Sequence, residues 1–289
     1  MWNPAAGGAR PGLDAHVAAL FRAAGCDPQI VMLQKGHDPA EAAREASRRA
    51  AIVVAAGGDG TVSRVAAGVI GTPAAFGVLP IGTLNHFAKD LRIPLDVDAA
   101  VATITARHTG PVDVGQVNDH VFVNNSSIGI YPSIVEFRDQ LRRQGLHKWT
   151  AMAVATLSVL RRYRGMRVHI EVNAGRAVRR TPFMFVGNNE YAVDGVGLGR
   201  RSRLDEGRLY AYLTPRLRAR DLPMLLVKAL LGGARRSGEF EIVSAAELRV
   251  GRAGGRRIRV AFDGEVVKMT PPLLYRSCPR ALNVTLPRA

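Results

Sequence analysis

Six apolar residues, Ala51 to Ala56, run without interruption into Gly57-Gly58-Asp59-Gly60-Thr61. A continuous apolar run of strand length is what a strand covered on both faces requires. The glycines then let the backbone turn and approach a bound group closely, and a helical pattern over 62–67 follows. Strand, glycine turn and helix in that order restrict this part of the chain to a layered α/β unit.

The same alternation runs through residues 1–112. Strands are predicted over 29–33 and 74–79. Asp38-Pro39-Ala40-Glu41 opens a helix, with an Asp cap, Pro at the first helical position and Glu three residues after the cap. Pro80-Ile81-Gly82-Thr83 ends the 74–79 strand and leads into a helix over 84–91, and another helix covers 98–107. After Gly110 the texture changes. Strands are predicted over 111–117, 120–124, 167–172, 182–186, 209–213, 247–250, 257–262 and 281–286, with helices over only 148–162 and 222–231. The expected architecture is α/β plus β: a layered α/β unit over 1–112 and a β-rich, sandwich-like unit over 113–289. Neither a repeat nor a flexible linker separates them, so they are expected to share a cleft.

The chemistry sits in loops. In an open α/β sheet, ligands bind at the C-terminal ends of the strands. Both glycine turns lie there, each ahead of a helix whose first N–H groups and positive dipole end suit a phosphate. Asn3-Pro4-Ala5-Ala6-Gly7-Gly8 is a candidate third loop on that edge. Asp59 suits phosphates only with Mg²⁺ between them. No GxxxxGK[ST] is present, which excludes a P-loop NTPase. Asp263-Gly264-Glu265 lies between apolar runs. It reads as a hairpin turn, or as a cleft loop in which Asp263 is a general base and Glu265, sharing its side of an extended strand, orients metal or substrate. Asn188-Asn189-Glu190 reads as a polar turn.

The formal net charge of +16, carried mostly by arginines in the second half, predicts an anionic partner. Few aromatics lie among the Arg clusters and no nucleic-acid module is evident, so charge alone does not point to nucleic acid. No apolar run approaches the roughly 20 residues that span a bilayer, and the start has no signal-peptide pattern. Cys26 and Cys278 have no ligand spacing. The expectation is a cytoplasmic protein associated peripherally with membranes; a homodimer is left open.

Asn3-Pro4-x-x-Gly7, Gly57-Gly58-Asp59-Gly60-Thr61, Pro80-x-Gly82-Thr83-x-Asn85-x-Phe87-Ala88, Val112-Asp113-Val114-Gly115 and Asp263-Gly264-Glu265 together resemble the diacylglycerol kinase catalytic-domain family, which includes sphingosine, ceramide and bacterial lipid kinases. The order and spacing agree across nearly the whole chain. The resemblance implies ATP and Mg²⁺ in the cleft and a lipid hydroxyl as phosphate acceptor. It implies Asn3, Pro4, Gly7, Gly57, Gly58, Asp59, Gly60, Thr61, Gly82, Thr83 and Asn85 around the nucleotide, with Asp263 as proton acceptor. It implies an acidic network of Asp59 and Asp113 that organises magnesium. It also implies a structural Mg²⁺ held by the Glu206 carboxylate and the carbonyls of Arg203 and Arg208.

Three departures stand out. His86 replaces the usual Asp after Asn85, Ser63-Arg64 replaces a common Asn-Glu, and only Met1-Trp2 precede Asn3-Pro4, so the first strand is trimmed or begins upstream. Two other functions stay open: a kinase of the NAD kinase type, which shares the GGDGT motif, and a catalytically impaired nucleotide- or lipid-binding protein.

Overall fold

The computed structural model describes residues 1–34, 36–162, 165–172, 175–194, 197–214, 241–252, 255 and 257–288. Helices α1 (Leu13–Ala23) and α2 (Pro39–Ala46) precede β1 (Ile52–Gly57). The Asp38 cap forms as its sequence predicts, accepting from the Ala40 amide ahead of Pro39. α1 has no such signal, because Gly12 at its N-cap offers no side-chain acceptor. The strand expected over 29–33 is reduced to a bridge. Trp2 pairs with Met32 on one side and Ala56 on the other, so the ladder has one residue to build on.

Next come α3 (Asp59–Val69), β2 (Ala75–Pro80), α4 (His86–Asp90) and α5 (Val97–Thr105). β1 and β2 are parallel, in register from Ile52↔Ala75 to Gly57↔Pro80. Both strands therefore end at the same level, and the two glycine turns emerge side by side. Val53, Ala55, Phe76 and Val78 of these strands pack with Val65 of α3 and Ile104 of α5 in one apolar core.

The second half continues with β3 (Thr109–Val117), β4 (His120–Phe122), β5 (Asn125–Gly129), α6 (Ile130–Arg143) and α7 (Lys148–Arg162). Then follow β6 (Met166–Val172), β7 (Gly175–Thr181), β8 (Phe183–Asn188), β9 (Tyr191–Asp194), β10 (Gly197–Arg201) and β11 (Leu209–Leu213). The chain ends with β12 (Glu241–Ala245), β13 (Glu247–Arg252), β14 (Ile258–Phe262), β15 (Glu265–Met269) and β16 (Leu273–Thr285). α7 covers the predicted 148–162, whereas α6 has no counterpart in the sequence reading. The helix expected over 222–231 lies outside the described residues.

Two sheets face each other. One runs β12-β11-β8-β5-β14-β15; the other runs β1-β2-β16-β13-β6-β7, with β3 and β4 attached at β16. Met184, Val186, Leu209 and Val260 of the first sheet meet Val168, Ile170, Val250 and Tyr275 of the second in a second apolar core. This is the expected β-sandwich. β16 is longer than its predicted 281–286: it pairs with β13 at one end and beside β2 at the other, where Val284 lies against Phe76. One strand thus ties the sandwich to the α/β sheet.

Candidate active site

Three loops interlock at the end of β1 and β2. The Asn3 amide donates to the Thr61 hydroxyl at 2.8 Å, and the Gly8 N–H donates to the Ile81 carbonyl at 2.8 Å. A Cβ on Gly57 would fall 2.5 Å from that of Thr61, and one on Gly7 would fall 2.7 Å from the Thr83 hydroxyl. Neither position has room for a Cβ: Gly57 packs on the Thr61 side chain of its own turn, and Gly7 on the Thr83 side chain of the neighbouring loop.

α3 begins at Asp59, earlier than the predicted 62, with Gly58 as an N-cap that has no side-chain hydrogen bond. The motif itself therefore forms the first turn of the helix, and its early N–H groups are left without a side-chain acceptor. With the positive end of the dipole, that turn is suited to an anion. Asp59 faces the neighbouring helix: one carboxylate oxygen accepts from the Phe87 amide at 3.1 Å and so caps α4. Asn85 sits at φ 53°, buried, accepting from Gly82 and donating to the carbonyls of Pro80 and Gly82. Its side chain shapes the turn from within instead of reaching out to a ligand.

The opposite wall carries Asp263. An open cleft of about 2030 Å³ is lined by Asn3, Pro4, Gly60 and Thr61 from one side and by Asp263 and Glu265 from the other. A Cβ on Gly60 would stand 3.6 Å from the Asp263 carbonyl oxygen. That space is larger than the roughly 300–1,000 Å³ of an ordinary ligand pocket, which leaves room for two substrates. Gly7, Gly57, Gly58, Gly82 and Thr83 stand behind this lining and build the loops.

Asp263 and Gly264 both have positive φ, 44° and 90°, and form the two-residue turn between paired Phe262 and Glu265. The hairpin and the cleft loop are one and the same. The expectation that Asp263 and Glu265 share one side of a strand is corrected: Asp263 is the turn and Glu265, exposed, begins β15. Asp263 as a whole residue is half-buried, and its carboxylate turns onto backbone amides. One oxygen accepts from the Val123 amide at 2.7 Å; the other accepts from Asn124 and Asn125 at 3.0 and 3.1 Å. Burial pushes this carboxyl above its ordinary value, against hydrogen bonds from Ser63 and these amides.

The expected metal network takes a different form. Asp113 is 1% exposed, and its two oxygens accept from the backbone amides of Arg280 and Gly207 at 2.8 and 2.6 Å. It clamps the segment that contains Arg203, Glu206 and Arg208 to β16. Glu206 reaches the Glu190 amide, and the Arg203 side chain pairs with Asp205. Asp59 and Asp113 thus serve different partners, and among the described residues no three His, Cys, Asp or Glu side chains gather as a metal group. Each Asp113 oxygen accepts one backbone amide, which turns the carboxylate toward this joint. Among the described residues the second Asp59 oxygen has no protein donor, and beside the uncapped turn it suits magnesium brought in with phosphates, an ion that needs only one or two protein carboxylates.

Two further expectations change. Asn188 and Asn189 are fully buried, and Asn188 donates to the Asp113 and Val123 carbonyls, so this is an internal joint and not a polar turn. Arg201 and Asp90, unremarkable in the sequence, form a buried ion pair at 2.7 Å. Arg201 is one arginine among many there, and only its 3% exposure separates it from the rest.

Comparison with known proteins agrees with this architecture. The diacylglycerol kinase catalytic domain matches residues 1–117, and the YegS C-terminal NAD kinase beta sandwich-like domain matches residues 128–286. A diacylglycerol kinase of Bacillus subtilis is 35% identical over 131 residues, 43% of this chain and 43% of that protein. The chain matches less than half the length of such curated relatives. A crystal structure of a diacylglycerol kinase from Bacillus anthracis superposes with a TM-score of 0.71 at 17% identity, covering 99% of this chain and 94% of the other. An NAD kinase from Archaeoglobus fulgidus, in complex with ATP, gives 0.54 at 10% identity over 96% and 90%. These two likenesses establish the fold.

Proposed function

The chain belongs to the diacylglycerol kinase catalytic-domain family, with a YegS-type sandwich as its second half, and from this premise we propose that it transfers the γ-phosphate of ATP to a lipid hydroxyl. The observation that carries the proposal is that the Asp263 turn and the uncapped start of α3 line one cleft, with the Asp263 backbone 3.6 Å from where a Cβ on Gly60 would stand. Gly60 and Thr61, which line the cleft, receive the phosphates on the first turn of α3, with Gly57, Gly58, Gly82 and Thr83 behind them building the loops. Asn3, Pro4 and Gly7 complete the loop edge, and Asn85 keeps the second turn in shape. Magnesium, when bound with ATP, neutralises charge on the phosphate oxygens, and Asp59 is the carboxylate placed to hold it.

A carboxylate offers about four acceptor positions. Three backbone amides engage three of those of Asp263. The lipid hydroxyl takes the fourth. Asp263 accepts the hydroxyl proton as the oxygen attacks the γ-phosphorus, and ADP leaves in line. Catalysis of this kind is mostly positioning and electrostatics, which fits a site of loops and carboxylates. The arginine-rich surface would hold the protein against an anionic bilayer.

The test is transfer of labelled phosphate from ATP to diacylglycerol, monoacylglycerol, phosphatidylglycerol, sphingosine, ceramide and undecaprenol in mixed micelles, with NAD as a soluble acceptor. A labelled lipid is expected. Labelled NADP alone would replace the proposal with a nucleotide kinase. No product with any acceptor, alongside measurable ATP binding, would make this a binding protein.

A further inference from the structure

Arg201 is the most heavily engaged side chain outside the loops. Its Nε donates to Asp90 at 2.7 Å, Nη1 donates to the Val123 carbonyl at 2.7 Å and the Asn188 carbonyl at 3.0 Å, and Nη2 donates to the Asn124 side-chain oxygen at 2.8 Å. The guanidinium carbon also lies 5.3 Å from the centre of the Tyr191 ring. An arginine with no exposed side chain must have such partners, since a buried unpaired charge is costly. What matters for function is which partners they are.

The Val123 carbonyl and the Asn124 N–H belong to one peptide group. Arg201 grips its oxygen, assisted by the Asn188 side chain at 3.1 Å, while the N–H at the other end donates to Asp263 at 3.0 Å. Because a peptide is planar and trans, fixing the direction of the C=O fixes the direction of the N–H. A cation on the oxygen also polarises the group and strengthens the bond its N–H makes. Arg201 is itself anchored by Asp90, the last residue of α4, whose first turn is capped by Asp59.

We propose that Arg201, anchored on Asp90, is a positioning residue that sets the Asp263 carboxylate by orienting the Val123–Asn124 peptide. The proposal rests on the role of Asp263 given above. It assigns to a residue in the sandwich half, tied to the helix after the second glycine turn, control over the base.

The test is Arg201→Lys, which retains charge but replaces a planar fork with a single ammonium that cannot span these four acceptors. Turnover on the best lipid should fall about 10- to 100-fold, the scale of a small misplacement of reacting groups, with the KM for ATP nearly unchanged. In the amide proton–nitrogen spectrum, the Asn124 N–H should move upfield as its bond to the carboxylate lengthens. If this variant does not fold, the neutral pair Asp90→Asn with Arg201→Gln removes the fork without leaving a lone buried charge, and the same two readouts apply. An Arg201 that only stabilises the fold would lower Tm and leave both readouts of the folded fraction intact. An unmoved Asn124 amide, or normal turnover, overturns the proposal. Should the wild type phosphorylate no lipid, the failure belongs to the proposed activity, and the amide shift alone decides the role of Arg201.

Discussion

Gly82 and Gly58 meet backbone to backbone: a Cβ on Gly82 would fall 2.2 Å from the Gly58 Cα and 2.6 Å from the Asn85 side-chain oxygen. The first obstacle is backbone and the second is a side chain held by three hydrogen bonds, so the strands that carry these turns would have to part. Gly82→Ala should therefore destabilise the fold by about 1–3 kcal/mol, as overpacking does, and weaken ATP binding. Gly60→Ala is the control. Its Cβ would meet nothing closer than 3.6 Å, so Tm should hold. Thermal unfolding with and without MgATP measures both, and equal Tm values for the two variants would contradict this account of the loop edge.

The charge of +16 predicts membrane affinity of electrostatic origin. A basic residue near an anionic surface contributes roughly 1 kcal/mol, and the interaction decays over a Debye length of about 10 Å at 0.1 M salt. Sedimentation with vesicles should show binding to phosphatidylglycerol but not to phosphatidylcholine, and release as salt rises. Equal binding to both in high salt would point instead to the exposed apolar residues Val154 and Leu157 of α7.

His86 opens α4 beside the amide that Asp59 caps, and it is exposed. Neutral imidazole is a poor magnesium ligand. His86→Asp would add a carboxylate next to Asp59 at a helix start, where negative charge is favourable. The magnesium concentration for half-maximal turnover should fall. Lost turnover would mean that His86 has a role of its own at the phosphates.

Much of this was legible in the sequence where local rules decide the outcome. The AIVVAA strand, the glycine turns, the Asp38 cap and α7 follow from periodicity and turn chemistry over a few residues. The convergence of Asn3, Thr61 and Asp263 followed from motif order. What local rules do not reach is where a polar group's partners lie. The backbone amides that Asp113 accepts, from Gly207 and Arg280, lie 94 and 167 residues away, and no local pattern announces them. Arg201 was hidden for the same reason: its partners lie at positions 90, 123, 124 and 188, and nothing near it in sequence marks it for burial.

Burial raises the Asp263 carboxyl above its ordinary value. A base must be ionised, so turnover should fall in acid from a higher pH than an exposed carboxylate would give. For stability the sign is opposite. A group whose folded value is raised stabilises the fold fully below the unfolded carboxylate value of about 3.9, and that contribution is lost as pH rises through the folded value. The difference in Tm between wild type and Asp263→Asn should be largest in acid and shrink toward neutral pH. A difference that grows with pH would mean that the amide hydrogen bonds outweigh burial.

Asp263→Asn also tests the mechanism. Substitution removes the basic oxygen, and a general base contributes roughly 10²- to 10⁴-fold in rate, so lipid phosphorylation should fall by at least about 100-fold. The structure adds a cost that the turn sequence does not reveal. Both oxygens of Asp263 accept backbone N–H groups, and an amide has only one oxygen to offer. The Asn NH₂ would face either the Val123 N–H or those of Asn124 and Asn125, leaving a donor unmatched at about 1–3 kcal/mol. A lower Tm is therefore expected along with lost turnover, and the comparison must be made per folded molecule, below the transition. ATP affinity by calorimetry should change little, because the substitution alters the Asp263 side chain, whereas it is the Asp263 backbone that lies beside Gly60. Near-normal turnover would reduce Asp263 to a turn residue that ties β14–β15 to the Val123–Asn125 backbone, and the proton acceptor would have to be sought elsewhere in the cleft, with Glu265 the nearest carboxylate in sequence.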